Sequence, residues 1–148
     1  MRAADVAVEM TTVTEQMPAR EAAKVLAGQD LPAVIVVDDQ GRPVTVLAGT
    51  QLLRMALPTF CQDDPALARV IDEAAADVIL NGIGERKVAD LLAKGRRELP
   101  VVSAGATLLE VAAVMAKSNV PLVAVADRNR VMIGAITLDG LLDRILGT

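Results

Sequence analysis

The chain contains no histidine, tryptophan or tyrosine, and only one phenylalanine and one cysteine among its 148 residues. Each gap closes off a kind of chemistry. Without histidine there is no common general base or imidazole metal ligand, and Ser–His or Cys–His activation of a nucleophile is impossible within the chain. With a single aromatic ring, base stacking is nearly excluded as a binding device. The net charge of −4 argues against a nucleic-acid backbone as partner, which calls for a basic face. Cys61 stands alone, so no internal disulfide forms, and this fits a reducing compartment. No secretory signal opens the sequence, and no apolar run approaches the ~20 residues a membrane helix needs. The expectation is a cytoplasmic protein with no direct membrane insertion.

Small aliphatic residues are abundant. Hydrophobic residues make up 53% of the chain, so Val, Leu, Ile, Ala and Met must fill the core. Their arrangement repeats. Shifted by 89 positions, residues 13–57 align without a gap on residues 102–146. Identical pairs include Glu21/Glu110, Val25/Val114, Pro32/Pro121, Val36/Val125, Asp38/Asp127 and Leu52/Leu141. Duplication of this kind fixes the architecture before any detail is considered.

Each copy predicts the same order. A short extended piece ("TTVT", "LPVVS") leads to a helix. In the second copy Thr107 and Glu110 have capping-box spacing, and Leu108, Val111, Ala112 and Met115 form one apolar stripe. In the first, Pro18 opens the helix. A strand follows, "AVIVVD" or "LVAVAD", apolar at nearly every position as in strands covered on both faces. A turn, a second strand and a closing helix complete the β-α-β-β-α unit. This layout resembles a tandem pair of cystathionine-β-synthase (CBS) domains, carried best by "LPVVSAGATLLEVAAVMAKSNVPLVAVADRNRVMIGAITLDGLLDRIL". The resemblance implies an α+β fold in which two β-α-β-β-α repeats pack sheet to sheet about a pseudo-twofold axis. It also implies clefts between them that often bind adenine nucleotides. The expected organisation is repeat 1 with its lead-in at 1–57, a helical linker and second lead-in at 58–98, and repeat 2 at 99–148.

The linker predicts one helix from Asp64 as N-cap and Pro65 at N1 to a stop at Gly82. Leu67, Val70, Ile71, Ala74, Ala75, Val78 and Ile79 lie at helical spacing and demand a cover. Two covers stand open: the chain's own core, or a dimer or partner surface. A second short helix, "ERKVADLLAKG", echoes the chain start, with Ala89-Asp90 against Ala4-Asp5.

The chemically suggestive stretch is "GAITLDG", residues 134–140. A helix starts directly after a strand there, and free N–H groups at a helix start favour an anion. Thr137 adds a hydroxyl, and Gly134 permits close backbone approach. In the CBS family this corresponds to Gly-x-x-Thr/Ser-x-x-Asp, where the Thr or Ser contacts phosphate and the Asp holds ribose. The match is partial. Gly140 stands where the acid should be, and Asp139 is one position early, about 100° around the helix. Thr137 and Asp139 are equally readable as helix caps. The first copy departs further, with Thr45, Ala48 and Gln51 at the three positions; Gln51 keeps hydrogen-bonding capacity for a sugar. The candidate ligand residues are therefore Gly134, Thr137 and Asp139, with walls from Val102, Ser103, Val120, Pro121 and Ile133, and Gln51 from the first copy.

No catalytic or metal constellation emerges. Asp38-Asp39 and Asp63-Asp64 read as turns and caps, and Cys61 has no base. The resulting expectation is a regulatory protein, not an enzyme. It would bind AMP, ADP, ATP or an S-adenosyl compound without requiring a cofactor, form a homodimer, and control a separate enzyme or transporter. The alternative is a ligand-free interaction scaffold with degenerate sites.

Overall fold

The computed structural model describes residues 1–29, 33–93 and 95–147, with backbone alone at Met55, Ala56, Ile83 and Gly84. Lys94, inside the second expected linker helix, lies outside the described residues. The first copy contains β1 (Val13–Thr14), α2 (Ala19–Gln29), β2 (Ala33–Val37), β3 (Pro43–Ala48) and α3 (Gly49–Ala56). The second contains β4 (Val101–Ser103), α7 (Leu108–Ser118), β5 (Leu122–Ala126), β6 (Met132–Thr137) and α8 (Leu138–Leu146). Short α1 (Ala3–Val6) and α6 (Val88–Leu92) precede them.

The two sheets are built alike, in orders β1-β2-β3 and β4-β5-β6, each with a parallel outer pair and an antiparallel hairpin. Register repeats residue for residue: Val13 faces Val36 as Val102 faces Val125, and Ala33 faces Ala48 as Leu122 faces Thr137. Even the hairpin irregularity recurs, between Val36 and Val37 and between Val125 and Ala126. Asp38 and Asp127 organise the two turns. Asp38 accepts from the N–H groups of Gln40 and Arg42, and Asp127 from those of Asn129 and Val131. The Arg42 N–H foremost, and then that of Gln40, hold the Asp38 carboxyl below its ordinary value. Gly41 and its counterpart Arg130 both take positive φ, at 79° and 67°.

Strand alternation sorts the side chains into separate cores. Val34, Val36 and Leu47 face α2 and α3, and Val123, Val125 and Ile136 face the second copy's helices. The opposite faces meet each other: Ala33, Ile35, Val37 and Val46 pack with Leu122, Ala124 and Ala135. The continuous apolar runs in β2 and β5 therefore reflect burial on both faces.

The lead-in segments cross over. α1 packs on the second copy, through Ala3 N–H to Ala106 O at 2.7 Å and Ala4 N–H to Ala104 O at 3.0 Å. α6 packs on the first, through Val88 N–H to Met17 O at 2.9 Å and Ala89 N–H to Glu15 O at 2.8 Å. Ala3 lies in the second copy's core and Val88, Leu91 and Leu92 in the first's. Each packing unit is thus discontinuous in sequence.

The linker differs from the single helix its spacing predicts. Asp64 caps a 3₁₀ segment, Pro65–Val70. The chain turns extended at Ile71, and Asp72 caps a new helix, α5 (Glu73–Asn81), by accepting from Ala75 N–H at 2.8 Å. A second competent cap breaks the run where the β-branched Val70 and Ile71 meet. Of the two covers left open, the chain's own core is not met: neither segment buries a residue, and Val70 and Val78 are 81% and 73% exposed. A short α4 (Thr59–Asp63) precedes them and a 3₁₀ turn, Gly82–Glu85, follows.

Candidate functional site

β6 ends on Thr137, which becomes the N-cap of α8. Its Oγ1 accepts from Gly140 N–H at 3.0 Å. A threonine hydroxyl also has one hydrogen to donate, so capping leaves Thr137 able to donate to a ligand. Gly134 sits earlier on the same strand. A Cβ there would stand 3.0 Å from Val8 O and 3.2 Å from Ala7 Cβ. The glycine lets the N-terminal lead-in run against β6, where Val8 and Ala135 exchange backbone hydrogen bonds.

That close approach forms one wall of a cleft of about 820 Å³. Residues 8–12 line it together with Gln29, Val37, Gly41, residues 131–134 and Thr137. This volume lies within the range of small-molecule sites, roughly 300–1,000 Å³. Among the described residues the polar lining is mostly uncharged: Thr11, Thr12, Thr137 and Gln29, with Glu9 as the one ionisable group. The Gln29 Oε1 is buried with no hydrogen-bond partner among the described residues.

A pseudo-symmetric cleft of about 560 Å³ sits at the other edge of the sheet interface. Arg42, Pro43 and Val44 take the places of Val131, Met132 and Ile133, and Arg130 that of Gly41. Thr45 replaces Gly134, and its hydroxyl donates to Arg97 O. Ala48 replaces Thr137, leaving the start of α3 without a side-chain cap.

The structure divides the sequence candidates among several places. Gly134, Thr137 and Ile133 come together in the larger cleft. Val102 and Ser103 line its pseudo-symmetric counterpart. Val120 and Pro121 line an apolar groove between α7 and α8 that Thr137 does not line, although Pro121 O accepts from the neighbouring Leu138 N–H at 3.0 Å. Gln51, 8% exposed, borders a polar pocket at the start of α3 and donates to Gly95 O at 3.4 Å. Asp139 is exposed on the first turn of α8 and lines none of these cavities. Sequence reasoning passed over residues 8–12 and Gln29. Residues 8–12 reach the cleft because the lead-in crosses to the other copy, and Gln29 reaches it from the end of α2.

A model of the CBS domain matches residues 3–54 and again residues 88–147. The chain belongs to the CBS-domain family. It is similar to a CBS domain-containing protein of unknown function from Kribbella flavida. The two are 44% identical, 99% of each chain is covered and the TM-score is 0.87. CBSX2, solved in complex with AMP, shares the fold at 17% identity, with 99% and 96% covered and a TM-score of 0.69. So does Hypoxic Response Protein I, solved with two coordinated zinc ions, at 19% identity, 96% and 97% coverage and a TM-score of 0.67. Among curated proteins, none matches this sequence. No cluster of three or more His, Cys, Asp or Glu side chains able to hold a metal occurs among the described residues of this CBS pair. Nor, among them, is any helix long and apolar enough to cross a membrane.

Proposed function

We propose that this CBS pair is a regulatory module that binds an adenosine compound in the cleft of Gly134 and Thr137 and reports its occupancy to a separate partner protein. The carrying observation is the cleft itself. It joins both copies, presents the Thr137 hydroxyl at a helix start, and holds an acceptor at Gln29 that has no partner among the described residues. An exocyclic amine is a donor that such an acceptor lacks. CBSX2, which shares the fold, is solved in complex with AMP, and this supports the reading. Among the described residues the lining contains Glu9 and no lysine or arginine, so it favours AMP or an S-adenosyl compound over ADP and ATP, whose extra phosphates add negative charge. A ligand in contact with both copies selects one relative packing, and its influence is limited by its differential affinity for the two states. The module acts as a cytoplasmic homodimer and carries out no catalysis itself.

Thermal unfolding against a panel of AMP, S-adenosylmethionine, ADP and ATP tests this reading. At 100-fold excess over Kd, a ligand stabilises by about 2.7 kcal/mol. The expected order places AMP or S-adenosylmethionine first and ATP last. Thr137→Ala abolishes the shift and Thr137→Ser preserves it. No shift from any compound at millimolar concentration would favour a ligand-free interaction scaffold. Thr45, Ala48 and Gly140, which break the family motif in the two copies, and the exposed apolar face of α5 favour that second reading.

A further inference from the structure

We infer that the linker between the copies is a docking surface for a basic, amphipathic segment of a partner protein. The inference deepens the reading of a module with a separate partner, and it does not require a nucleotide in the cleft. The surface spans α4, the 3₁₀ segment Pro65–Val70 and α5. Its two ends are tethered. Gln62 Nε2 donates to Leu57 O at 2.8 Å, which pins α4 beside the end of α3, and the turn Gly82–Glu85 lies against α2. Between the tethers little is covered. From Asp63 to Asn81 every residue is exposed except Ile71, Ala76 and Ile79, which are half-buried.

The exposed side chains are the wrong kind for a face that meets only water. Leu67, Val70, Val78 and Leu80 are 43%, 81%, 73% and 54% exposed. Among the described residues, none from 63 to 81 joins any of the three core clusters. Residues 63–80 contain no uncharged polar side chain: they are aliphatic or acidic, with Pro65 and Arg69. Solvated helix faces carry polar residues, and apolar ones gathered in the open mark contact sites. The segment also lies between the two repeated frames and has no counterpart in either, so the shared fold of the copies does not call for it.

Charge selects the occupant. Of the chain's 19 acidic and 15 basic residues, five and one fall in residues 59–81. That segment alone therefore carries the net charge of −4, and the rest of the chain is balanced. Asp63, Asp64, Asp72, Glu73 and Asp77 are interleaved with the aliphatic positions. Asp64 and Asp72 each cap a helix start, and a carboxylate so engaged keeps further acceptor sites. A second copy meeting the same surface across a twofold axis would set −4 against −4, and like charges oppose such a contact. Phosphate backbones and anionic lipid headgroups are repelled for the same reason. An amphipathic helix with Lys and Arg beside its apolar stripe answers both features, aliphatic on aliphatic and cation on carboxylate.

Fluorescence anisotropy of a labelled leucine–lysine amphipathic helical peptide against the full chain, without nucleotide, tests the assignment. Saturable binding is expected, weakening as salt is raised. Val70→Ser/Val78→Ser should bind about tenfold more weakly and Glu73→Gln/Asp77→Asn about threefold, with circular dichroism confirming that each variant is folded. A peptide of the same pattern with glutamate in place of lysine should not bind. No saturable binding at high micromolar peptide, wild-type binding by either double variant, or equal binding of the glutamate peptide would each overturn the proposal. So would light scattering in which Val70→Ser/Val78→Ser turns a dimer into a monomer, because a second copy would then be the occupant. With no nucleotide present, failure here leaves the cleft reading standing, and failure of the nucleotide titration leaves this surface standing.

Discussion

At the scale of single residues, the two copies solve one steric problem in two ways. Both strands, β3 and β6, must accept a lead-in segment against their backbones, Arg97 beside Val46 and Val8 beside Ala135. At Gly134 the lead-in lies so close that a Cβ would press on Val8 O at 3.0 Å and Ala7 Cβ at 3.2 Å. At Thr45 a side chain is present, fully buried, and its hydroxyl binds Arg97 O. A glycine in this motif need not signal a ligand; here it also serves the chain's own packing. Gly134→Ala should therefore destabilise by about 1–3 kcal/mol, as overpacking does, even with no ligand present. Urea denaturation of the ligand-free protein checks this. An unchanged midpoint would return Gly134 to a purely ligand-facing role.

Helices and strands show where local pattern is sufficient and where it fails. The hairpins and the helices of both repeats appear where apolar periodicity placed them, because each buries a face against an element close by in sequence. The linker stripe met the spacing rule and still split in two, because Asp72 offered a second cap. Its exposed side chains make no core in this chain. Val78→Asp should change the stability of the folded monomer by no more than about 0.5 kcal/mol, the range for surface positions. Denaturant midpoints at low protein concentration measure that. A loss above 2 kcal/mol would mean that α5 is part of the fold's core after all.

At the scale of the molecule, the sheet-to-sheet interface joins what duplication made separate. Ile35 is fully buried at its centre, between the two copies rather than within either. Ile35→Ala should cost about 2–5 kcal/mol through lost burial and a residual cavity. It should also broaden unfolding into resolvable steps, because the copies retain their own helix-facing cores. Calorimetry reads both effects. A single sharp transition with an unchanged midpoint would show that the inter-sheet contacts do not couple the halves.

The sequence by itself determined the repeat, the element order, the doubly buried strands and the poverty of catalytic groups. All of these follow from local periodicity and composition, which neighbouring residues express without reference to distant ones. Only the tertiary structure decided which residues share a cavity. Crossing of the lead-ins brought residues 8–12 to Gly134 and Thr137 and gathered Arg97 with Arg54, while Val102 and Ser103, on β4, line a different cleft. Such meetings depend on chain crossings over long separations, and periodicity carries no record of them: it specifies the face a side chain occupies, not the partner that face will meet.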